Sequence, residues 1–375
     1  MIPKYARFLM LVLVGLTACG KKLPETLPVG VRTLLLTDEK RTDSAGNPRV
    51  LPVEVWYPAV ETGEPKDAYD LVALAPDYLQ ADLSTVNVAP LPQNAVRDAP
   101  VETGWGPYPI LVFSHGNGGV RIQTYKLMAH LASRGFIVAA PDHVNNTLWE
   151  FLRDGGADPA AVIFAAVDRP KDVAFVKNTL DAPDGPLGDV VDGERWGVFG
   201  HSYGGGTSIS IAAIDTEFYV PGVKAIMPLA PASGWVSIWG ADTTRVKAPI
   251  FIVGGVLDEL TPYDLNQVQP YEQANKPKGL AGITTAGHFS FADFCDIDLN
   301  PFFTPFGADS SIFDDGCAPA NTDPVIMRKI LAYFAESFFH AVFYPKSKLA
   351  EQLDPDAIPA DIAAELFEYR QSGLF

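Results

Sequence analysis

The sequence predicts an α/β fold in which a mostly parallel central sheet is covered by helices on both faces. Short, nearly continuous apolar runs have the length of buried strands, and they lie at residues 110–113, 136–140, 196–199, 225–229 and 250–253. Segments with helical spacing lie between them, at residues 124–133, 172–180 and 208–214. Strands that are apolar throughout and alternate with helices are typical of parallel sheets buried on both faces.

Two further elements are predicted near the ends of the chain. Residues 31–36 and 50–57 are β-branched and apolar, and the turn-forming residues between them indicate a hairpin. Asp323 and Pro324 are suited to the first turn of a helix, and apolar residues at helical spacing follow them. We therefore expect a long helix to close the domain.

The composition supports one large apolar core and excludes two classes of protein. Of the 375 residues, 47% are hydrophobic and 19% are charged, so the chain has too much apolar surface to be intrinsically disordered. Lys and Arg total 28 against 45 Asp and Glu, which gives a net charge of −17. Because this charge repels phosphate groups, we expect no nucleic-acid partner.

The N-terminus predicts export and a lipid anchor. Lys4 and Arg7 precede an apolar run at residues 8–15, and small residues then lead to Cys19. The run is too short for a membrane-spanning helix, which needs about 20 apolar residues. Because the pattern resembles the bacterial lipobox, residues 1–18 are predicted to be a signal peptide. Cys19 would then be lipidated and anchor the exported chain to a membrane, at the periplasmic face or the cell surface; an ordinary signal peptide is the alternative.

The remainder of the chain is predicted to be one domain. Residues 19–28 would form a lipidated tether, and residues 29–375 a single folded unit. Within it, residues 61–107 are rich in Pro, Gly and Asp and predict an irregular insertion. An insertion of this length either lines the site or is a passive surface excursion.

Cys295 and Cys317 are the two cysteines that remain if Cys19 carries lipid. An even pair in an exported, oxidising setting favours a disulfide. Two cysteines so far apart, without flanking histidines, do not supply a zinc-ligand set, and we expect no metal site.

Ser202 is the predicted nucleophile. Residues 200–204 read Gly-His-Ser-Tyr-Gly, a G-x-S-x-G motif between a predicted strand and a helical segment. In this context the chain makes a sharp turn that presents the serine hydroxyl above the carboxyl edge of the sheet, and the glycines avoid Cβ clashes. His201, inside the turn, is interpreted as structural.

His288 is the predicted base and Asp258 the predicted acid. A serine hydroxyl needs a base, and on such a fold the order along the chain is Ser, acid, His. His288 lies in a small-residue loop after an apolar stretch, whereas His340 falls inside the closing helix. Asp258 follows the strand at residues 250–253 through two glycines, and the adjacent Glu259 is the fallback.

A glycine-rich loop predicts an oxyanion hole. His115 opens a Gly-Asn-Gly-Gly stretch after the strand at residues 110–113, and backbone N–H groups in such loops stabilise an oxyanion. We assign this role to the backbone N–H groups of Asn117 and Tyr203. Phosphate binding is the alternative, but the loop lacks the lysine and the Ser/Thr of a P-loop.

These segments together resemble a known family. Residues 108–116, 133–140, 200–205 and 287–294 look like the platelet-activating-factor acetylhydrolase branch of the α/β-hydrolases, whose bacterial members are often labelled predicted dienelactone hydrolases. The likeness starts near residue 53 and runs to about residue 294. It implies an α/β-hydrolase fold and a serine carboxylic ester hydrolase that needs no cofactor.

The family's functional residues map onto the residues already singled out. Its triad falls on Ser202, Asp258 and His288, and its oxyanion amides fall on Asn117 and Tyr203. Relatives often have an apolar side chain where Asn117 stands, which bears on the polarity of the pocket rather than on a backbone donor. True dienelactone hydrolases use a cysteine nucleophile, so Ser202 argues against that substrate.

The resemblance leaves the substrate open. Short-acyl or phospholipid-derived esters are the first expectation. A polyester hydrolase is an alternative, for which Trp235 would supply an aromatic wall rather than pack in the core. A non-catalytic surface lipoprotein that retains the fold is another. The acidic stretch at residues 293–315 is interpreted as a solvated loop, with calcium binding as the alternative.

Overall fold

The computed structural model describes residues 24–43, 46–79, 81–308 and 310–374. The predicted signal peptide at residues 1–18 and the predicted lipidation site at Cys19 lie outside the described residues. Within the described ranges, no helix is both long enough and apolar enough to cross a membrane.

The strands of the described chain are mostly short. They are β1 Val29–Thr42, β2 Pro48–Pro58, β3 Ala68–Tyr69, β4 Leu91–Pro92, β5 Val96–Arg97, β6 Tyr108–Ser114, β7 Ile137–Pro141, β8 Val191–His201, β9 Ala225–Leu229, β10 Ile250–Gly255, β11 Lys278–Ile283 and β12 Leu366–Ser372.

The α-helices range from one turn to 22 residues. They are α1 Leu71–Leu74, α2 Tyr125–Ser133, α3 Leu148–Asp154, α4 Pro159–Leu180, α5 Tyr203–Ala212, α6 Ser233–Ser237, α7 Gln269–Gln273, α8 Asn300–Phe303, α9 Asp314–Cys317, α10 Pro324–Phe343 and α11 Ala360–Ala363. Short 3-10 helices lie at Asp77–Leu79, Gly188–Val190, Thr243–Arg245, His288–Phe291, Thr304–Phe306, Ser311–Phe313, Lys348–Leu353 and Pro355–Ala357, and a π-helical turn lies at Asp264–Val268.

One sheet organises the described chain. Its strand order is β12-β11-β10-β9-β8-β6-β7-β2-β1-β5. Every neighbouring pair from β11 to β7 is parallel. At the flanks, β12 pairs antiparallel with β11, and the β1–β2 hairpin pairs antiparallel with β7. The predicted fold class, a mostly parallel sheet, is confirmed.

Helices cover both faces of the sheet because successive apolar side chains along each strand point to opposite faces. Leu111 and Phe113 of β6 face a core shared with α2 and α10. Ile110 and Val112 of the same strand face a second core, shared with α4 and α5. All four side chains are fully buried, as the continuous apolar run predicts.

Several elements differ from the sequence prediction. α4 begins at Pro159 rather than near residue 172 and contains Pro170, a residue that normally ends a helix. α3 and the edge strand β12 were not predicted. Thr147 and Glu150 form a capping box at the start of α3, and this T-x-x-E pattern was the signal that could have found the helix. Residues 61–107 contain only short elements.

Candidate active site

The predicted functional residues lie at one edge of the sheet. Asn117 follows β6, Ser202 follows β8, Asp258 follows β10 and His288 follows β11. These four strands are parallel, so their carboxyl ends meet at the same edge. The topology therefore brings residues from four distant parts of the chain to one region.

Ser202 lies in a strained turn between β8 and α5. Its backbone angles, φ of 56° and ψ of −117°, fall outside the regions that residues other than glycine favour. A Cβ on Gly204 would overlap the carbonyl oxygen of Ser114, so only glycine permits this approach of α5 to β6. α5 begins at Tyr203, five residues before the predicted start. The three successive glycines at 204–206 have low helix propensity, which is why the sequence predicted a later start, but their close packing against neighbouring segments outweighs that propensity.

Asp258 and His288 form a buried hydrogen-bonded pair. His288 Nδ1 lies 2.9 Å from Asp258 Oδ2, and the two residues are 3% and 5% exposed, respectively. Thr261 fixes the carboxylate, because its backbone N–H donates to Oδ1 at 2.6 Å and its hydroxyl donates to Oδ2 at 2.7 Å. The neighbouring Glu259 is exposed, and its backbone N–H faces elsewhere, toward Asp315.

The Ser202 hydroxyl has no hydrogen-bond partner among the described residues, and Ser202 is partly exposed. The structure therefore joins Asp258 to His288 but does not join His288 to Ser202 by a hydrogen bond. In unliganded enzymes such catalytic hydrogen bonds are often long and tighten only with substrate.

His201 contacts His288 and holds its backbone in place. Gln123 Nε2 donates to His201 Nδ1 at 2.6 Å, so His201 donates from Nε2 to the carbonyl oxygen of His288 at 2.8 Å. The two imidazole rings lie 4.6 Å apart. Burial, and then the field of His288, hold the pKa of His201 well below its usual value, so this ring stays neutral.

The loop predicted to supply an oxyanion donor, residues 115–119 and here called the oxyanion loop, lies beside Ser202. A Cβ built on Gly116 would lie 3.5 Å from the Cβ of Ser202. Within the described residues, the backbone N–H groups of Asn117 and Tyr203 have no hydrogen-bond acceptor. Both donors are therefore free to bind an oxyanion.

A second Ser-His-Asp arrangement lies behind the oxyanion loop. Ser114 Oγ lies 2.9 Å from His143 Nε2, and His143 Nδ1 lies 3.0 Å from Asp172 Oδ2. Burial lowers the pKa of His143 to about 4. Ser114 is completely buried, so no substrate can reach its hydroxyl. Sequence reasoning missed this network, in which the three residues are far apart in the chain and carry no local motif.

Two cavities meet at the oxyanion loop. The apolar cavity, of about 250 Å³, is lined by His288 and by apolar side chains from several segments of the chain, including Phe289 and Phe313. The second cavity, of about 470 Å³, is lined by residues 143–169 in large part and mixes apolar side chains with charged ones such as Arg153 and Asp168. Asn117 and Gly118 border both cavities.

Trp235 lies on α6, which begins at Ser233. The preceding residue, Ala232, donates its backbone N–H to the carbonyl oxygen of Ser202, so α6 lies close to the Ser202 turn. Its side chain is 53% exposed. The core-packing alternative for Trp235 is therefore wrong, and the aromatic-wall role stays a prediction.

The predicted disulfide between Cys295 and Cys317 is present, and its loop contacts the segments that carry His288 and Asp258. Within the loop, Asp315 accepts hydrogen bonds from the backbone N–H groups of His288, at 2.9 Å, and of Glu259, at 3.1 Å. The Ser290 hydroxyl donates to the carbonyl oxygen of Gly316 at 2.9 Å. The cross-linked loop therefore ties the segment carrying His288 to the segment carrying Asp258.

Removing the disulfide should lower activity before the domain unfolds. A cross-link of this span stabilises by roughly 3 kcal/mol in the chain-entropy model, and its loss would free Asp315 from His288. In Cys295→Ser with Cys317→Ser, we expect ester hydrolysis to fail at temperatures where far-UV circular dichroism still reports a folded sheet. Coincident midpoints for activity and circular dichroism would contradict this, as would two reactive thiols in the denatured, unreduced wild-type domain.

Asp293 is buried, so the prediction of a wholly solvated acidic stretch is wrong at this residue. It is 3% exposed, and its Oδ2 accepts from the backbone N–H of Lys126 in the first turn of α2 at 2.8 Å. Burial raises its pKa to about 6.

Asp309 lies outside the described residues. In the described part of the chain, no three His, Cys, Asp or Glu side chains are grouped to hold a metal ion.

Asp293→Asn should raise the melting temperature near pH 8 but not near pH 4. The pKa of Asp293 is about 6 in the folded state and 3.8 in the reference state. The free energy of unfolding therefore falls as the pH rises between these two values, and it stays lower at higher pH. The difference amounts to at most ~3 kcal/mol, and asparagine still offers an oxygen to Lys126. Thermal unfolding across this pH range would measure the gap. The exposed Asp296, whose pKa is lowered by Lys126 and Arg328, is the control: Asp296→Asn should give no such gain, and a pH-independent effect of Asp293→Asn would refute the account.

Comparison with known proteins agrees with this architecture. Residues 54–152 match the family described as platelet-activating factor acetylhydrolase, isoform II. A ferulic acid esterase from Streptomyces cinnamoneus superimposes with a TM-score of 0.62 over 88% of this chain and 95% of its own, at 24% sequence identity. The chain has the α/β-hydrolase fold.

The curated proteins that match this chain are enzymes of similarly low sequence identity, and they match over a shorter part of it. The platelet-activating factor acetylhydrolase of Canis lupus familiaris is 26% identical over 233 residues, which cover 52% of this chain and 50% of that protein. Cutinase est1 of Thermobifida alba is 26% identical over 187 residues, which cover 49% and 54%, respectively. The chain thus spans about half the length of the curated relatives it matches. The family match includes the oxyanion loop but ends before Ser202.

Proposed function

We propose that this α/β-hydrolase is a serine esterase that cleaves carboxylic esters through an acyl-enzyme on Ser202. The observation that carries the proposal is the buried hydrogen bond between Asp258 and His288, at the same sheet edge as the strained Ser202 turn. Relatives named acetylhydrolase and cutinase support the reaction class.

In the first half-reaction, Ser202 Oγ attacks the ester carbonyl carbon and His288 Nε2 takes its proton. Asp258 accepts from His288 Nδ1–H, which leaves Nε2 unprotonated before the attack and stabilises the imidazolium after it. The carbonyl oxygen becomes an oxyanion, and the N–H groups of Asn117 and Tyr203 bind it. His288 then gives its proton to the leaving alcohol as the bond between that oxygen and the acyl carbon breaks.

In the second half-reaction, water replaces the alcohol. His288 takes a proton from the water, whose oxygen attacks the acyl carbon of the ester at Ser202. The same oxyanion donors bind the new tetrahedral intermediate. Collapse releases the carboxylic acid, and the proton returns from His288 to Ser202 Oγ.

The apolar cavity supports esters with an apolar portion of limited size. Its walls include His288 itself and aromatic side chains from the disulfide-closed loop, such as Phe303 and Phe313. We propose short-acyl or phospholipid-derived esters as substrates, with the apolar portion in this cavity. We further propose that the enzyme is exported and membrane-anchored through lipid on Cys19; the disulfide between Cys295 and Cys317 supports an oxidising compartment.

A fluorophosphonate probe and p-nitrophenyl esters of graded acyl length test the esterase proposal together. We expect covalent labelling of the native protein, loss of labelling after heat denaturation, and a modified peptide that contains Ser202. Hydrolysis should be greatest for short acyl chains. A folded protein that neither reacts with the probe nor hydrolyses any ester would instead support a non-catalytic lipoprotein.

A further inference from the structure

The carbonyl oxygen of Gly116 receives an unusual number of hydrogen-bond donors. Arg169 Nη2 donates to it at 2.9 Å, and the backbone N–H of Gly119 donates at 3.1 Å. His115 Nδ1 lies 2.7 Å from the same oxygen. This carbonyl belongs to the peptide group whose N–H is that of Asn117, one of the two proposed oxyanion donors.

The protonation of His115 follows from its other contact. The backbone N–H of His143 donates to His115 Nε2 at 3.0 Å, so Nε2 is an acceptor and carries no proton. Burial, and then the charge of Arg169, hold the pKa of His115 well below its usual value, so the ring is neutral. Its single proton is therefore on Nδ1, which donates to Gly116. All three contacts to the Gly116 carbonyl are genuine donors.

Arg169 is held rigidly in this position. It is completely buried on α4, its Nη1 donates to the carbonyl oxygen of His115, and its Nε donates to Asn146 Oδ1 at 3.0 Å. Asn146 in turn donates to the side chain of Asn117 at 2.7 Å. The guanidinium also lies 4.9 Å from the ring centre of Tyr203, the other proposed oxyanion residue.

We propose that Arg169 is a positioning residue that strengthens the oxyanion hole by polarising the peptide group between Gly116 and Asn117. A cationic donor on the carbonyl of an amide draws electron density from its N–H, which becomes a stronger donor to the oxyanion. The inference rests on the proposed esterase function. It makes Arg169 act through Asn117, without touching substrate.

The charge of Arg169 is available for this role. Among the described residues, no carboxylate lies within ion-pair distance of its guanidinium, and its hydrogen-bond acceptors are neutral oxygens. Burial lowers its pKa to about 9, which leaves it protonated at neutral pH. Asp172 stabilises this charge only from beyond ion-pair distance. A buried cation without a direct ion pair is costly, and an oxyanion that forms nearby in the transition state offsets that cost.

The test compares Arg169→Met with Arg49→Met in the full chain. Arg49 is a second buried arginine, which bonds to Asp172 and to the Val144 carbonyl but not to the oxyanion loop. Removal of a single oxyanion donor costs about 10²–10³ in kcat, so a weakened donor should cost roughly 10- to 100-fold. We expect that loss in kcat for Arg169→Met, with KM nearly unchanged. Arg49→Met should lower the melting temperature and leave kcat within about threefold.

A second readout separates oxyanion binding from general damage. A trifluoromethyl ketone forms a tetrahedral adduct whose oxygen occupies the oxyanion hole, whereas the alcohol product is neutral, as the ester ground state is, and forms no adduct. Arg169→Met should weaken the ketone by the same factor as kcat/KM and leave product inhibition unchanged. If this variant does not fold, Arg169→Lys is used instead, with an expected loss of about three- to tenfold because one ammonium replaces a fork of donors.

The outcomes distinguish this inference from the esterase proposal. If the folded Arg169 variant keeps wild-type kcat and ketone affinity, or if Arg49→Met loses as much kcat, the polarising role is wrong although the wild-type enzyme still hydrolyses esters. If the wild-type protein itself hydrolyses no ester and takes no fluorophosphonate label, it is the proposed function that fails.

Discussion

Ser202→Ala is expected to reduce ester hydrolysis by about 10³-fold or more and to leave the fold intact. The loss is large because alanine cannot form the acyl-enzyme, and what remains comes only from substrate binding and the oxyanion donors. Alanine keeps the Cβ of serine, so the strain of the turn, with its φ of 56°, is unchanged. The Ser202 hydroxyl makes no hydrogen bond to the described residues, so its removal breaks no folded-state contact.

Steady-state kinetics with a short p-nitrophenyl ester, together with thermal unfolding, measures this prediction. Ser114→Ala is the matched control, because Ser114 also faces a histidine and an aspartate but is completely buried. Fluorophosphonate labelling should persist in Ser114→Ala and disappear in Ser202→Ala. Labelling of the Ser202→Ala protein, or hydrolysis near the wild-type rate, would show that another residue is the nucleophile.

The parallel sheet could be predicted because its strands are buried on both faces. A strand such as Ile250–Gly255 must then be apolar throughout, and that pattern is readable without knowledge of its neighbours. The candidate site followed from the same logic. The G-x-S-x-G motif identifies Ser202, and Asp258 and His288 then follow from chain order and from their places past strand ends, which parallel strands bring together.

The supporting contacts could not be predicted because each depends on tertiary packing. Arg169 lies in the middle of α4, fifty-three positions after Gly116 and outside the helical segment predicted at residues 172–180. Asp315 reaches His288 only because the disulfide-closed loop folds back on it. Asp293 belongs to an acidic stretch, and only the position of α2 shows that its carboxylate caps a helix. None of these residues stands in a local motif.

The acid is the second position where we expect a very large effect. Asp258→Asn should lower kcat by about 10⁴-fold, the cost of presenting the wrong histidine tautomer in a related triad. The amide that replaces the carboxylate can donate to His288 Nδ1, which would leave the proton on Nε2, where it blocks the uptake of the serine proton. Thr261 would still hold the asparagine side chain in place, because its backbone N–H can donate to the remaining amide oxygen.

Glu259→Gln is the control for Asp258→Asn, since it makes the same chemical change one position away. The side chain of Glu259 is exposed, and its backbone N–H rather than its carboxylate contacts Asp315. We therefore expect kcat within about threefold of the wild type for Glu259→Gln. Equal losses in the two variants would mean that the hydrogen bond between Asp258 and His288 is structural, and that the acid must be sought elsewhere.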